Sequence, residues 1–188
     1  MAWPTFEIVR FELTDPAVAT LASEYPSVRE LATEGVPRSA YGQCEAAGTL
    51  TVIGSHRRWV LDGKTESSRQ AGSLVRFAFA GPSVAVALDP QSGEVVSVIE
   101  FHGPFARLMN TSLAHLRMTA RAVIARFPFY DGPQSDEREG EELRAQQDLL
   151  RLIKEADPRA FDESGGWTEF PWDVGMGDYD TESVVGAG

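Results

Sequence analysis

Hydrophobic positions change their spacing abruptly in the middle of this chain, and the change predicts a switch of element. From Gly93 the sequence GEVVSVIEFHGPFARLMNTSLAHLRMTARAVIARF places β-branched Val95, Val96, Val98 and Ile99 after a turn, which is strand chemistry. Beyond Asn110-Thr111-Ser112 the apolar residues Leu113, Leu116, Ala120, Val123, Ile124 and Phe127 recur at steps of three and four. That period is helical, so one stripe must be buried against a sheet. Asn110, Thr111 and Ser112 are expected to cap the helix with their side-chain oxygens, a good cap being worth roughly 1 kcal/mol. Pro128 stops it.

The same reading orders the rest of the chain. Phe6 to Leu13 alternates as a short opening strand, and Asp15-Pro16 offers a capping side chain followed by a proline at a first helical position. Val18, Leu21 and Ala22, then Val28, Leu31 and Ala32 after Pro26, form a broken helix that Gly35-Val36-Pro37 ends. From Thr49 the runs LTVIG, RRWVLDG, SLVRFAFAG, SVAVALD and EVVSVIEF read as short strands of an antiparallel meander, with Asp89 to Gly93 as a turn. A later helix is expected from Ser135-Asp136-Glu137, burying Leu143, Leu149, Leu150, Leu152, Ile153 and Ala156 and ending at Asp157-Pro158. The fold class is therefore α+β: a central, mostly antiparallel sheet flanked by helices. One domain is expected over residues 1–162, followed at 163–188 by an acidic, aromatic and glycine-rich segment without a period, its last ten residues mobile.

Charge sharpens that division. Residues 1–127 hold 12 acids and 12 bases, and residues 128–188 hold 16 acids and 5 bases, so the whole net charge of −11 belongs to the last third. Such a balance disfavours direct binding to nucleic acid or to an anionic membrane. The start carries acids and no apolar run of signal-peptide length, and Leu74 to Leu88 is interrupted by Arg76 and Gly81-Pro82, so a cytoplasmic protein is expected. A single cysteine, Cys44, allows no internal disulfide, and His56, His102 and His115 are too scattered for zinc.

Candidate chemistry is sparse. The sequence has no nucleophile elbow, phosphate-binding loop or metalloprotease motif, so no catalytic, cofactor or metal site is expected. His56 beside Arg57 and Arg58 in a turn is the only place an enzyme reading could start. Arg117 and Arg121, one turn apart, read either as a solvated face or as a carboxylate-binding pair. The acidic end is more informative: Trp167, Trp172, Asp173, Asp178, Tyr179 and Asp180 combine aromatic anchors with a negative field that suits a basic protein partner. The alternative is that Trp167, Phe170 and Trp172 fold back onto the core, leaving solvated acids outside.

Several pieces taken in order resemble a known family. Leu31 to Pro37 (LATEGVP), Leu50 to Gly54 (LTVIG), Ala87 to Val95 (ALDPQSGEV) and above all Leu108 to Leu113 (LMNTSL) are similar to the SUKH superfamily of bacterial immunity proteins, in particular its fourth subfamily. The resemblance implies an α+β domain that binds and neutralises a cognate toxin, such as a nuclease or deaminase, without catalysis or cofactor. An adaptor of the same fold with a cellular partner is the alternative.

Overall fold

In the structure, a computed structural model, residues 5–39, 44–62, 65–99, 105–130, 138–163 and 166–177 are described, with backbone alone for 55–62, 65–71, 105, 139, 162–163, 166 and 168. The expected helix start at Ser135-Asp136-Glu137, His102, and the residues from Asp178 onward lie outside the described residues.

The chain opens with a minimal strand, β1 (Ile8–Val9), shorter than its alternating sequence suggests. Two helices follow, α1 (Pro16–Glu24) and α2 (Pro26–Glu34), each with proline in its first turn. Asp15 caps α1, its carboxylate accepting from Ala17 N at 2.8 Å. Gly35 closes α2 with φ 74°, and a Cβ there would run into the Val9 carbonyl, so only glycine fits the position. β2 (Val36–Pro37) then pairs antiparallel with β1.

The main sheet is β3 (Glu45–Asp62), β4 (Thr65–Phe79), β5 (Val84–Leu88), β6 (Val95–Ile99) and β7 (Phe105–Asn110). Sequential neighbours are antiparallel, and β3 also meets β7 in parallel at Arg57↔Phe105 and Arg58↔Ala106, so the sheet closes on itself. LTVIG and RRWVLDG are one strand rather than two, because register shifts around residues 46–57 absorb the irregularities. His56, Arg57 and Arg58 therefore belong to a strand and not to the expected turn.

Closure gives the sheet two different faces. One cluster inside it is built from Leu74, Ala85, Ala87, Val96, Val98 and Ala106, mostly small side chains, as a tightly curled five-stranded sheet requires. The alternate positions Val75, Phe77, Val86, Leu88, Val95 and Met109 face outward into the main core with the helices.

Helix α3 (Leu113–Arg126) lays Leu113, Leu116, Ala120, Val123 and Ile124 into that core as expected. Arg117 donates to Glu30 at 2.7 Å and to Gly35 O at 3.0 Å, and Arg121 stacks 4.7 Å over Phe6. Both arginines thus bind α3 to the N-terminal unit. Helix α4 (Glu139–Ala156) buries Leu149 and Ile153 with Ala145, but Leu143 is 52% exposed, which corrects the expected stripe. Two short helices end the described chain: α5 (Pro158–Glu163) and α6 (Gly166–Gly175). Helix α6 forms where no period was expected, despite Pro171 within it, and its Trp167, Phe170 and Val174 lie in the main core.

Candidate functional site

Asp157 is the residue around which the C-terminal half is assembled. Its N–H donates to Ile153 O at 3.0 Å, closing α4, and its carbonyl accepts from Phe161 N at 3.0 Å, opening α5. Its carboxylate is 1% exposed and accepts from Thr111 N at 2.7 Å, Asn110 Nδ2 at 3.2 Å, Thr111 Oγ1 at 3.0 Å and Ala160 N at 3.3 Å. A buried carboxylate persists only when donors replace its lost water, and these come from two separate places in the chain, residues 110–111 and Ala160. Asn110, itself fully buried, spans the gap: its Nδ2 faces Asp157 and Thr119 Oγ1, and its Oδ1 accepts from Trp167 Nε1 at 2.9 Å. One polar junction therefore ties the end of β7 and the first turn of α3 to the α4–α5 corner and to α6. Arg159 of α5 adds an ion pair to buried Glu94 at 2.9 Å, holding the corner against the β5–β6 connection.

Only one of the three expected caps performs that task. Ser112 is the N-cap of α3, its Oγ accepting from His115 N at 3.1 Å. Asn110 and Thr111 instead turn toward Asp157, which a local reading of the junction could not reveal. His115 Nδ1 stands 2.7 Å from Thr111 Oγ1 and 3.9 Å from Asp157. Thr111 has one hydroxyl proton and two neighbours able to take it. Donation to Asp157 leaves His115 Nδ1 as the donor to Thr111, a chain in which every group is satisfied. The hydroxyl sits between acid and imidazole, so it bridges them rather than being poised as an attacking group with a base behind it. Among the described residues no three His, Cys, Asp or Glu side chains gather as a metal site needs, and no helix is long and apolar enough to cross a membrane.

The aromatic residues expected at a partner surface separate cleanly. Trp167 is fully buried and hydrogen-bonded to Asn110, so it is an anchor of the fold and not an exposed contact. Trp172 is 63% exposed, and Met176, one helical turn later and unremarked in the sequence, is 71% exposed. Asp173 is partly exposed beside Trp172; Asp178, Tyr179 and Asp180 follow α6 outside the described residues. Helix α6 thus has a buried side at 167, 170 and 174 and an exposed Trp172, with Met176 exposed just past its end. The signal for this was in the sequence, since 167, 170, 171 and 174 are spaced by three and four.

The fold and its junction define a single-domain α+β protein without a recognisable catalytic arrangement among the described residues. The SUKH-4 immunity protein family model matches residues 5–172 of the 188, and the chain belongs to that family. Membership suggests an immunity function. Searches of curated proteins and of solved structures found no match.

Proposed function

We propose that this protein acts by binding: it captures a cognate toxin protein in the cytoplasm and neutralises it stoichiometrically, without turnover of its own. The toxin is a basic protein, and it meets the exposed side of α6, where Trp172 is the anchor, with Asp173 and, beyond the helix, Asp178, Tyr179 and Asp180 supplying the acidic rim. The acidic segment at the C-terminus serves that contact. The observation that carries the surface is the exposure of Trp172 on a helix whose other side is fixed by Trp167, with Met176 exposed just past its end. A large aromatic left in water on a rigid element, within a chain third that carries all of a net charge of −11, is what an anchor for a positively charged partner requires.

The test is co-expression with the product of the adjacent reading frame. Growth should be inhibited by that product alone and restored by this protein, with a complex recovered by size-exclusion chromatography. Trp172→Ala should weaken the complex by at least about tenfold while shifting stability by no more than about 0.5 kcal/mol. Binding that ignores Trp172 and the salt concentration would remove this surface from the proposal.

A further inference from the structure

Helices α4 and α6 meet in an antiparallel seam. Trp167, near the start of α6, reaches the Asp157 end of α4 through Asn110. Gly175, at the end of α6, lies against Gln146, where a Cβ would stand 2.8 Å from Gln146 Oε1. On α4 the buried Ala145 and Leu149 are followed, about a quarter turn further round, by Gln146 and Leu150, and Leu143 completes that second stripe at steps of three and four. On α6, Trp172 is the neighbour of Gly175 one turn earlier, about 4.5 Å back along the axis and so toward Leu150, which stands about 6 Å beyond Gln146. Met176 N still donates to Trp172 O at 2.9 Å, so Met176 continues the helical course at the Leu143 end. The outer rim of the seam is therefore an apolar strip of Leu143, Trp172 and Met176, all exposed, with a half-buried Leu150.

The two flanks of the strip differ in sign. On α6 the flank away from α4 carries an exposed Glu169 and, one turn later, Asp173. On α4 the next stripe round is Arg144, Gln147, Arg151 and Lys154, exposed throughout and without an acid. Asp148 and Glu155, which pair with Arg151 at 3.6 and 3.3 Å, lie a further quarter turn away. An apolar strip with acids along one side and bases along the other is complementary to itself. A twofold axis running along the strip sets the acidic flank of each copy on the basic flank of the other, whereas an axis across it would set acid on acid. The first arrangement also keeps levels along the strip. Trp172 then lies over α4 of the other copy at Leu150. Glu169, about 9 Å from Gly175 along the axis, is level with Arg151, about 7.5 Å from Gln146.

We propose that this protein forms a twofold dimer through the α4–α6 seam, with Trp172 of each copy against α4 of the other and Glu169 facing the other copy's Arg151. Four apolar side chains are few beside the roughly 20 to 30 residues that a stable interface uses on each side, so the dimer is weak and reversible. It does not depend on the toxin surface proposed above. Both use Trp172, so toxin capture and dimerisation exclude one another.

Sedimentation velocity of the full chain from micromolar to millimolar concentration tests it. A monomer–dimer equilibrium is expected, weakened at least tenfold by Trp172→Ala and by Leu143→Lys and unchanged by Met118→Ala, an exposed apolar position on α3. Glu169→Arg and Arg151→Glu, each with the circular dichroism of the wild type, should be monomeric, because both symmetric pairs become like charges. Mixing these two variants should restore a dimer, since each pair then joins opposite charges, and a chain carrying both substitutions should dimerise by itself. A wild-type chain that stays monomeric throughout overturns the proposal. So does a dimer that survives Trp172→Ala and Leu143→Lys, one that Met118→Ala weakens as much, or a mixture of the two charge variants that remains monomeric.

Discussion

The dipeptide Asp-Pro occurs three times; at Asp89-Pro90 it opens a turn, whereas at Asp15-Pro16 and Asp157-Pro158 it starts a helix, yet the two helix-starting aspartates have different tasks. Asp15 is partly exposed and its carboxylate serves Ala17 N, two residues on. Asp157 caps α5 in the same manner through Ala160 N, and in addition gathers Asn110 and Thr111 from more than 45 residues away. Local chemistry is shared because proline at the first helical turn and a carboxylate before it solve the same problem of unpaired N–H groups. What separates them is depth. In water, surplus acceptor capacity goes to solvent; at 1% exposure it must be filled by protein donors, and filling it has joined four elements.

The comparison predicts a wide gap in stability. Asp157→Ala orphans Thr111 N and Ala160 N and leaves Asn110 Nδ2 with Thr119 Oγ1 alone, and donors left unpaired inside the protein cost about 1 to 3 kcal/mol each. A loss of about 4 kcal/mol is expected in urea unfolding, a large share of the total for a domain of this size. Asp157→Asn tests whether charge or shape matters: it keeps an acceptor but adds two donors among groups that already donate, so it should recover less than half of the loss. Full recovery by asparagine would break the argument that the junction needs a carboxylate.

Trp167→Phe is next in size. It removes the indole N–H that satisfies Asn110 Oδ1 and leaves part of a fully buried site unfilled, about 2 kcal/mol together. The same substitution at the exposed Trp172 should be close to neutral for folding. The pair therefore separates the two sides of α6 in one experiment. If Trp172→Phe proved as costly as Trp167→Phe, the exposed side would be part of the fold and unavailable to a partner.

How much of this was readable from sequence follows the same divide between local and distant causes. The caps at Asp15 and Ser112, the proline restarts and the stripe of α3 are set within a few residues and so were legible. The join of LTVIG to RRWVLDG was not, because a strand that carries register shifts looks interrupted when only its composition is considered. Closure of β3 onto β7 depends on residues nearly 50 positions apart, and no local pattern encodes it. Asp157-Pro158 reads locally as a stop to α4, although the same dipeptide reads as a start at Asp15-Pro16. The α6 stripe was hidden by its glycines and by Pro171. The resemblance to the family rests on short pieces such as the Asn-Thr-Ser-Leu junction, in which Asn110 and Thr111 act through Asp157 and not as caps. Among the site residues, Trp172 and Asp173 were named with Trp167, but only depth in the fold distinguishes anchor from surface.

Of the two aspartates the smaller effect belongs to Asp15→Ala, for which about 1 kcal/mol is expected, the usual worth of a solvent-accessible N-cap. Cys44 supplies a measurement fine enough to resolve it. This thiol is fully buried in the main core, and burial, with a smaller contribution from the neighbouring Glu45 carboxylate, pushes it up to about 12. At neutral pH it reacts with a thiol reagent only through opened molecules, so its labelling rate follows their population, tenfold for each 1.4 kcal/mol or so. Asp15→Ala should speed labelling about fivefold, against roughly a thousandfold for Asp157→Ala. The buffer must stay below the unfolded thiol's range near 8.5. There the protonated form dominates in both states and the thiol's contribution to stability is intact; as pH rises from there toward about 12 the unfolded chain alone loses the proton, and that contribution is lost. Equal labelling rates for the two aspartate variants at pH 7 would mean that depth does not set the worth of an Asp-Pro corner in this fold.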